Sequence, residues 1–518
     1  MTSGLTPARP AAGNSSTRQV DLLAAIDIGS NSFRLEIAEV HCGRYKRVDY
    51  IKQTVRLGGG LDEHGMLTED AAQRGLDCLN TFALRLRDFA PHRVRAVATQ
   101  TLREARNRDA FLARANAVLG FPIEVISGRE EARLIYQGVA RLQPSELPRL
   151  VIDIGGRSTE MILGRGRAPM QAESFRIGSV SLSMKHFPDG RFTREGFRAA
   201  QIEAGAELEE ALQPFARHLW REALGSSGSV GAISQILQAS RITDGRITPE
   251  ALRWCIDQCL KAGHVDALEL PGLKADRKAV LGGGLSILYT LAMHFDIEVM
   301  HPAKGALRQG VIFDLEERLE AARHRRQDDP REAAVRELQR RFNVDTSQAE
   351  RVRQRTLALW TGAQQADRRL QQDAEATQEL AWAAALHEVG MMVSHHDHHR
   401  HSAYLLGHVD AAGFSQSQLR RLAVLVLGQR GELSKLAEHR HDRRVMTQVM
   451  CLRLATILHH ARVDLPANLA QLKPGRRRIE LSLPRRWAEQ HPRTGYLLQE
   501  EVDRWARQGD RSLVISLR

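Results

Sequence analysis

The chain has 518 residues, 42% of them hydrophobic, with 74 Lys and Arg against 62 Asp and Glu and a net charge of +12. That length holds about two to four domains, the apolar runs fall far short of the roughly 20 residues of a membrane helix, and five scattered cysteines exclude a disulfide framework or a zinc knuckle. The positive surplus favours a polyanionic partner, and aromatics at 5% leave few platforms for stacking bases, so an anion without bases fits as readily as nucleic acid.

Residues 1–20 have no hydrophobic stretch of a secretory signal and read as a flexible tail. AAIDIGSNSFRLE, at 24–36, predicts a strand, a glycine turn and a second strand. Asp27 lies in the first strand, and Ser30, Asn31 and Ser32 supply polar side chains to the turn. RAVATQTLREARN, at 95–107, predicts a strand from Arg95 to Thr99 running into a helix. Arg103 at that junction could hold a phosphate bidentately, although such an arginine alone is more often a surface residue.

EVISGREEARLIYQGV, at 124–139, starts as a strand and becomes a helix. Ser127 and Glu130 match the S-x-x-E capping box, which gives Glu130 a structural task. Glu131 is then left in the first turn, where it could accept a proton from water attacking phosphorus. The plain alternative is that it only complements the helix dipole or pairs with an arginine.

LVIDIGGRSTEMI, at 150–162, is a twin of the opening motif. Aligning Asp27 with Asp153, 126 residues on, also aligns Gly29 with Gly155 and Ser32 with Ser158. So long a period excludes a solenoid and predicts two duplicated α/β domains. Their turns, with Gly155, Gly156 and Ser158 opposite Ser30–Ser32, would grip a phosphate from both sides. Asp27 and Asp153 beside them suit Mg2+ together with phosphate. The alternative is two ordinary glycine-rich hairpins. LGSSGSVGAI, with Gly228 and Ser229, and AVLGGGLSIL, with Gly282–Gly284, would add backbone N–H groups to the same cleft. Arg157 is out of place in a turn whose other residues are small.

Taken in this order, the motifs resemble the exopolyphosphatase / guanosine pentaphosphate phosphohydrolase family of the actin, sugar kinase and heat-shock ATPase superfamily, from residue 21 to past 460. The resemblance implies two actin-like (ribonuclease H-like) domains, 21–140 and 141–317, with a phosphate cleft between them. It implies Mg2+-dependent release of a terminal phosphate by water. The family's catalytic glutamate falls on Glu131, its acidic pair on Asp153 and Glu160, and its phosphate-contacting arginine on Arg103; Asp27, Asp153 and Glu160 would serve the metal. A homodimer in the cytoplasm, with weak association at the inner face of the membrane, is implied in the same way. The family pattern D-I-G-G-G-S is D-I-G-G-R-S here. If that position needs positive φ, a non-glycine residue costs about 1–2 kcal/mol. Arg157 then either enters the cleft as a phosphate contact or turns to the rim or solvent, and crowding of the turn's amides favours the second.

From 318 the texture turns charged and helical, through 463. Six histidines, His387, His395, His396, His398, His399 and His401, invite a metal reading. The segment resembles the HD-like helical domain of long exopolyphosphatases, but His387 is followed by Glu388 where the HD signature has Asp, which implies a degenerate, non-catalytic version. Partly protonated, the cluster could still hold a polyanion. Residues 464–518 carry Arg476, Arg477, Arg478, Arg485 and Arg486 among strand-like stretches, a small basic α+β domain that could track a polyanion, or a solvated edge strand.

The leading expectation is an exopolyphosphatase releasing orthophosphate processively from the ends of inorganic polyphosphate, with no specific nucleic acid partner. The alternatives are hydrolysis of pppGpp to ppGpp, or a weakened or non-catalytic polyanion-binding relative because of Arg157. An actin-like kinase would need a nucleotide and an acceptor.

Overall fold

The structure, a computed structural model, describes residues 22–41, 44–324, 329–367, 370, 374–474, 478–508 and 512–518. The expected tail 1–20 and the arginines at 476 and 477 lie outside the described residues.

The first lobe runs β1 (Leu22–Ile28), β2 (Ser32–His41), β3 (Arg44–Thr54), α1 (Glu69–Arg85), β4 (Val94–Ala98), α2 (Gln100–Glu104), α3 (Arg108–Leu119), β5 (Ile123–Val125) and α4 (Gly128–Leu142). The second runs β6 (Arg149–Ile154), β7 (Thr159–Arg165), β8 (Ala168–Phe175), α5 (Ser179–His186), α6 (Arg194–Leu208), β9 (Glu222–Ser226), α7 (Gly228–Ala239), α8 (Pro249–Ala262), α9 (Ala275–His294), β10 (Met300–Pro302) and α10 (Leu307–His324).

The two sheets have the same topology. Their orders are β3-β2-β1-β4-β5 and β8-β7-β6-β9-β10, with two antiparallel pairings followed by two parallel ones in each. The duplication read from the twin motifs is therefore a duplication of whole sheets. In the register of the first hairpin Asp27 faces Arg34, and in the second Asp153 faces Glu160. Each lobe has its own hydrophobic core. A further core, gathered around α4 and α10, takes Leu23 and Ala25 from the first sheet and Val151, Ile162 and Leu224 from the second. The two helices cross there at minimal separation. A Cβ on Gly310 would lie 1.7 Å from the carbonyl oxygen of Leu134. Helix α10 continues past residue 317, so the expected boundary at that point falls inside a helix.

Helices α11 (Pro330–Arg341), α12 (Thr346–Ala366), α13 (Ala374–Ala385), α14 (His398–His408), α15 (Gln416–Gly428) and α16 (Arg443–Leu458) follow. The chain ends in β11 (Gln471–Pro474), β12 (Arg478–Leu483), α17 (Arg485–Gln490), α18 (Pro492–Gln508) and β13 (Ser512–Leu517), the strands forming one sheet in the order β11-β12-β13. One core joins the helices to this sheet, from Trp360 and Trp382 through Leu481, Trp505 and Leu513. The guanidinium of Arg453 on α16 donates to both oxygens of Glu501 on α18, at 2.5 and 2.6 Å, inside it. Among the described residues no helix is long and apolar enough to cross a membrane.

Candidate active site

The β1–β2 and β6–β7 turns meet across the interface between the lobes. A Cβ on Gly156 would sit 3.0 Å from that of Ser30. Thr101 Oγ1 donates to Ser30 Oγ at 2.8 Å and ties the first turn to α2. The second turn is held by the start of α5. The N–H groups of Ser179 and Val180 donate to the carbonyls of Gly155 and Gly156, at 2.9 and 2.8 Å. Only a glycine allows that approach, because a Cβ on Gly178 would fall 2.3 Å from the nitrogen of Arg157. Ser229 Oγ donates to the carbonyl of Ile154 at 3.3 Å, bringing the N-terminus of α7 to the same place.

Ser227 caps that helix, its hydroxyl accepting from the N–H groups of Ser229 and Val230. Its backbone sits at φ 101° and ψ 165°, a region populated almost only by glycine and one in which strain collects at functional sites.

The turns enclose a cavity of about 450 Å3. Asp27, Ser30, Asn31, Ser32, Glu131, Asp153, Gly155, Gly156, Ser158, Gly228 and Ser229 all line it. Arg103 and Glu160 do not, and neither do Gly282–Gly284, which lie inside α9 with their N–H groups in the helix rather than in the cleft. The guanidinium of Arg103 is spent on Glu131 Oε2, at 2.7 Å, on the carbonyl of Ile126 and on Gln100. Glu160 is buried beside Asp153, its cross-strand partner, and accepts from Ser174 Oγ at 2.8 Å. Arg103 thus faces the carboxylate rather than the phosphate turns.

Burial dominates the acid–base state of the site. It pushes Glu131, only 7% exposed, up to about 7. Arg103 opposes the rise, and the charges of Asp27 and Asp153 add to it. Burial also raises Asp153, offset in part by the hydroxyl of Ser226 and the charge of Arg34. Glu160 is raised well above the ordinary range by burial and by Glu131 and Asp153. Asp27 is paired with Arg34 at 3.1 Å and Arg308 at 3.7 Å.

The expected capping box forms by half. Ser127 Oγ accepts from the N–H of Glu130 at 3.2 Å. The carboxylate of Glu130 does not return to Ser127; it holds Arg133 at 2.7 and 2.8 Å and accepts from the N–H of Gly413. Glu131 is left to face the cavity.

Arg157 does not line the cavity, although Gly156 and Ser158 on either side of it do, and its side chain is only partly exposed. It crosses to the first lobe, where Nε donates to Glu104 at 2.8 Å and a terminal nitrogen donates to the carbonyl of Gly58 at 3.1 Å. Gly155, Gly156 and Arg157 all avoid positive φ, so the strain expected of a non-glycine residue is absent.

Reading the turns alone missed the cationic side of the cavity. Arg34, Lys52, Lys274, Arg277, Lys304 and Arg308 line it. Arg34 carried a usable signal, since a hairpin pivoting on Gly29–Asn31 places it opposite Asp27. Lys52 lies on β3, Arg277 on α9 and Arg308 on α10, while Lys274 and Lys304 stand just before the two helices; none of these segments has a local pattern that sets it apart from any other charged stretch.

The histidine cluster forms no metal centre: among the described residues no three His, Cys, Asp or Glu side chains are placed to hold an ion. Burial pushes His387, His398 and His399 down to about 4, which leaves them neutral near pH 7 and unsuited to hold a polyanion by charge. Glu388 is paired with Arg462 at 2.6 Å. Arg478, Arg485 and Arg486 are exposed.

The model of the Ppx/GppA phosphatase family matches residues 36–319, and that of the Ppx/GppA phosphatase domain III matches 331–502. The chain is 37% identical over 488 residues to a guanosine-5'-triphosphate,3'-diphosphate pyrophosphatase of Vibrio cholerae, covering 93% of this chain and 96% of that one. A protein of the same name from Photobacterium profundum is 36% identical over 485 residues, with the same coverage. The crystal structure of an exopolyphosphatase-like protein superposes with a TM-score of 0.53 at 26% identity, over 58% of this chain and 99% of that one. An exopolyphosphatase of Cytophaga hutchinsonii shares the fold, with a TM-score of 0.50 at 23% identity over 57% of this chain and 98% of its own. Sheet duplication, turn chemistry and similarity along both halves agree, and the chain belongs to the Ppx/GppA phosphatase family.

Proposed function

We propose that the protein hydrolyses the terminal 5′ phosphoanhydride of pppGpp, with inorganic polyphosphate as a second substrate. The observation that carries the order of preference is the 37% identity, over 93% of the chain, to a guanosine-5'-triphosphate,3'-diphosphate pyrophosphatase. The cleft supports the same reading. Arg34, Lys52, Lys274, Arg277, Lys304 and Arg308 line it together with the two turns, and that many cations suit a substrate with more phosphates than the one under attack.

The chemistry follows from the groups at hand. The turns present N–H groups to the terminal phosphoryl group, and the N-terminus of α7, whose Ser229 and Val230 N–H groups are held by the Ser227 hydroxyl, adds the positive end of its dipole. Water on the Glu131 side attacks phosphorus; a new P–O bond forms as the bridging P–O bond breaks. Glu131 takes the proton from the water, and the electron pair of the broken bond leaves on the shortened substrate. A carboxylate poised near 7 suits that task at neutral pH. Arg103 fixes the orientation of Glu131 without lining the cavity.

Mg2+ fits the donor set. The ion keeps several waters and is bound through one or two carboxylates plus substrate phosphates, so no protein cage is required. Asp27 and Asp153 would hold it, with Glu160 opposite Asp153 on the neighbouring strand, and when bound it supplies positive charge to the phosphates.

Phosphate release from pppGpp and from long polyphosphate, with the full chain and with Glu131→Gln, tests the reading. A higher kcat/KM on pppGpp is expected. A preference for polyphosphate restores the alternative substrate, and turnover by Glu131→Gln at the wild-type rate removes the base.

A further inference from the structure

An unbroken run of side-chain contacts leads from the second lobe to the base. Arg157 Nε donates to Glu104 Oε2 at 2.8 Å. The other oxygen of Glu104 accepts from Gln100 Nε2 at 2.7 Å. Gln100 Oε1 accepts from two nitrogens of Arg103, at 2.9 and 2.6 Å. Arg103 then donates to Glu131 Oε2 at 2.7 Å. Along this run every contact pairs a donor with an acceptor, and the sequence of groups is cation, anion, amide, cation, anion. The amide of Gln100 can serve both neighbours because it offers an N–H donor on one side and a carbonyl on the other.

Arg157 alone in this run belongs to the second lobe. The first lobe is shaped to receive it. A Cβ on Gly58 would lie 2.8 Å from Cδ of Arg157, so the glycine leaves space for the arginine stem, and the carbonyl of Gly58 accepts one of its protons. Arg157, Glu104, Gln100 and Arg103 all stay out of the cavity lining.

We infer that Arg157 is a positioning residue: drawn across the cleft onto Glu104, it holds Gln100 and Arg103 in place and so aims Glu131 at the attacking water when the lobes are closed on each other. This rests on the reading of Glu131 as the base. Closure that completes a catalytic constellation is a general way of coupling substrate capture to chemistry. Here the coupling would run through the one turn that both grips phosphate and carries the strap. The effect is bounded. The side chains of Arg157 and Glu104 are 23% and 28% exposed, and Arg103 keeps a second anchor on the carbonyl of Ile126.

The test uses the full chain with pppGpp and with long polyphosphate. Arg157→Ala and Glu104→Gln should each lower kcat about fivefold, the size expected of a partly exposed ion pair, while KM stays within about twofold. The double variant should be no slower than either single one, because both cut the same run. Glu104→Gln is close to isosteric and guards against a folding artefact. Unchanged kcat in the single variants, or losses that multiply in the double variant, overturn the inference. So does a rise in KM at constant kcat, which would make Arg157 a substrate contact. Glu131→Gln, run alongside, separates the two levels. If it keeps turnover, the reading of the base fails; if it is inactive while Arg157→Ala and Glu104→Gln match the wild type, only the strap fails.

Discussion

Glu130 and Gly413 lie 283 residues apart, and the backbone N–H of Gly413 donates to Glu130 Oε2 at 2.9 Å. The contact closes a ring. The carbonyl of Gly413 accepts from Arg318 at 2.7 Å, Arg318 holds Asp314 at 2.6 Å, Asp314 accepts from Arg133 at 2.5 Å, and Arg133 returns to Glu130. Helix α4, helix α10 and the helical region thus share one buried polar network immediately beside the base.

Glu130→Gln should therefore be harmful to folding. The amide can still accept from Gly413, but it withdraws a negative charge from a buried site that holds Arg133 and lies 3.8 Å from Arg95. A loss of about 1–3 kcal/mol is expected, the cost of leaving a buried polar partner imperfectly paired. Denaturant unfolding of the variant against the wild type measures it, and stability equal to wild type would mean that Asp314 and Glu124 satisfy the arginines without it.

Glu131→Gln should leave substrate binding nearly intact and lower kcat by about 10²–10⁴-fold, the usual contribution of a general base. In the wild type, kcat/KM should rise as pH increases through about 7, because the base acts deprotonated and its carboxyl is held there by burial. The stability effect has the opposite sign. A carboxyl raised from 4.5 to about 7 in the folded state contributes stability that is present below pH 4.5 and is lost as pH rises through about 7. Relative to Glu131→Gln, the wild type should lose stability between pH 5 and pH 8, which unfolding curves at the two pH values would show.

Ser227→Gly should stabilise the second lobe. Glycine relieves a φ of 101°, worth about 1–3 kcal/mol, and replaces the serine cap at a cost of a few tenths of a kcal/mol. Part of the gain is returned through the greater freedom of unfolded glycine. The unfolding transition of that lobe should move upward, and kcat reports whether the cavity needs the hydroxyl.

Gly310→Ala should be severe. Its methyl would meet the backbone of α4 at 1.7 Å, and backbone cannot swing aside as a side chain can. Overpacking of this kind costs about 1–3 kcal/mol or more. Because Leu134 lies one turn beyond Glu131, kcat should fall together with stability, at near-constant KM. Full activity in this variant would show that α4 can shift without disturbing its carboxylate.

Local chemistry made the twin turns legible. Asp, Gly and Ser recur in step at 27 and 153, 29 and 155, 32 and 158, and each strand–turn–strand became the first hairpin of a sheet. Ser127 as a cap was legible for the same reason. Glu130 was misread because Arg133, three residues on, takes its carboxylate instead of the Ser127 N–H, and its further partner comes from residue 413, beyond the reach of any local rule. Arg157 was weighed between a phosphate contact in the cleft and a place at the rim or in solvent, without a partner, while its acceptors, Glu104 and Gly58, become neighbours through the docking of the lobes. The basic stretch after residue 463 read as a small separate unit, yet its alternating Ile479, Leu481 and Leu483 complete the core of the helices. Alternation reveals that one face is buried, and only tertiary packing decides against what.

The ring through Gly413 also has a meaning in time. The cores of the two lobes are filled from residues up to Leu319, so they can form while the rest of the chain is still on the ribosome. Gly413 emerges nearly a hundred residues after the end of α10. At roughly 5–20 residues per second that is a delay on the order of ten seconds. During it the newborn lobes hold the carboxylate of Glu130 and the guanidinium of Arg318 without their last partner, and the arrival of that one glycine is what seals them.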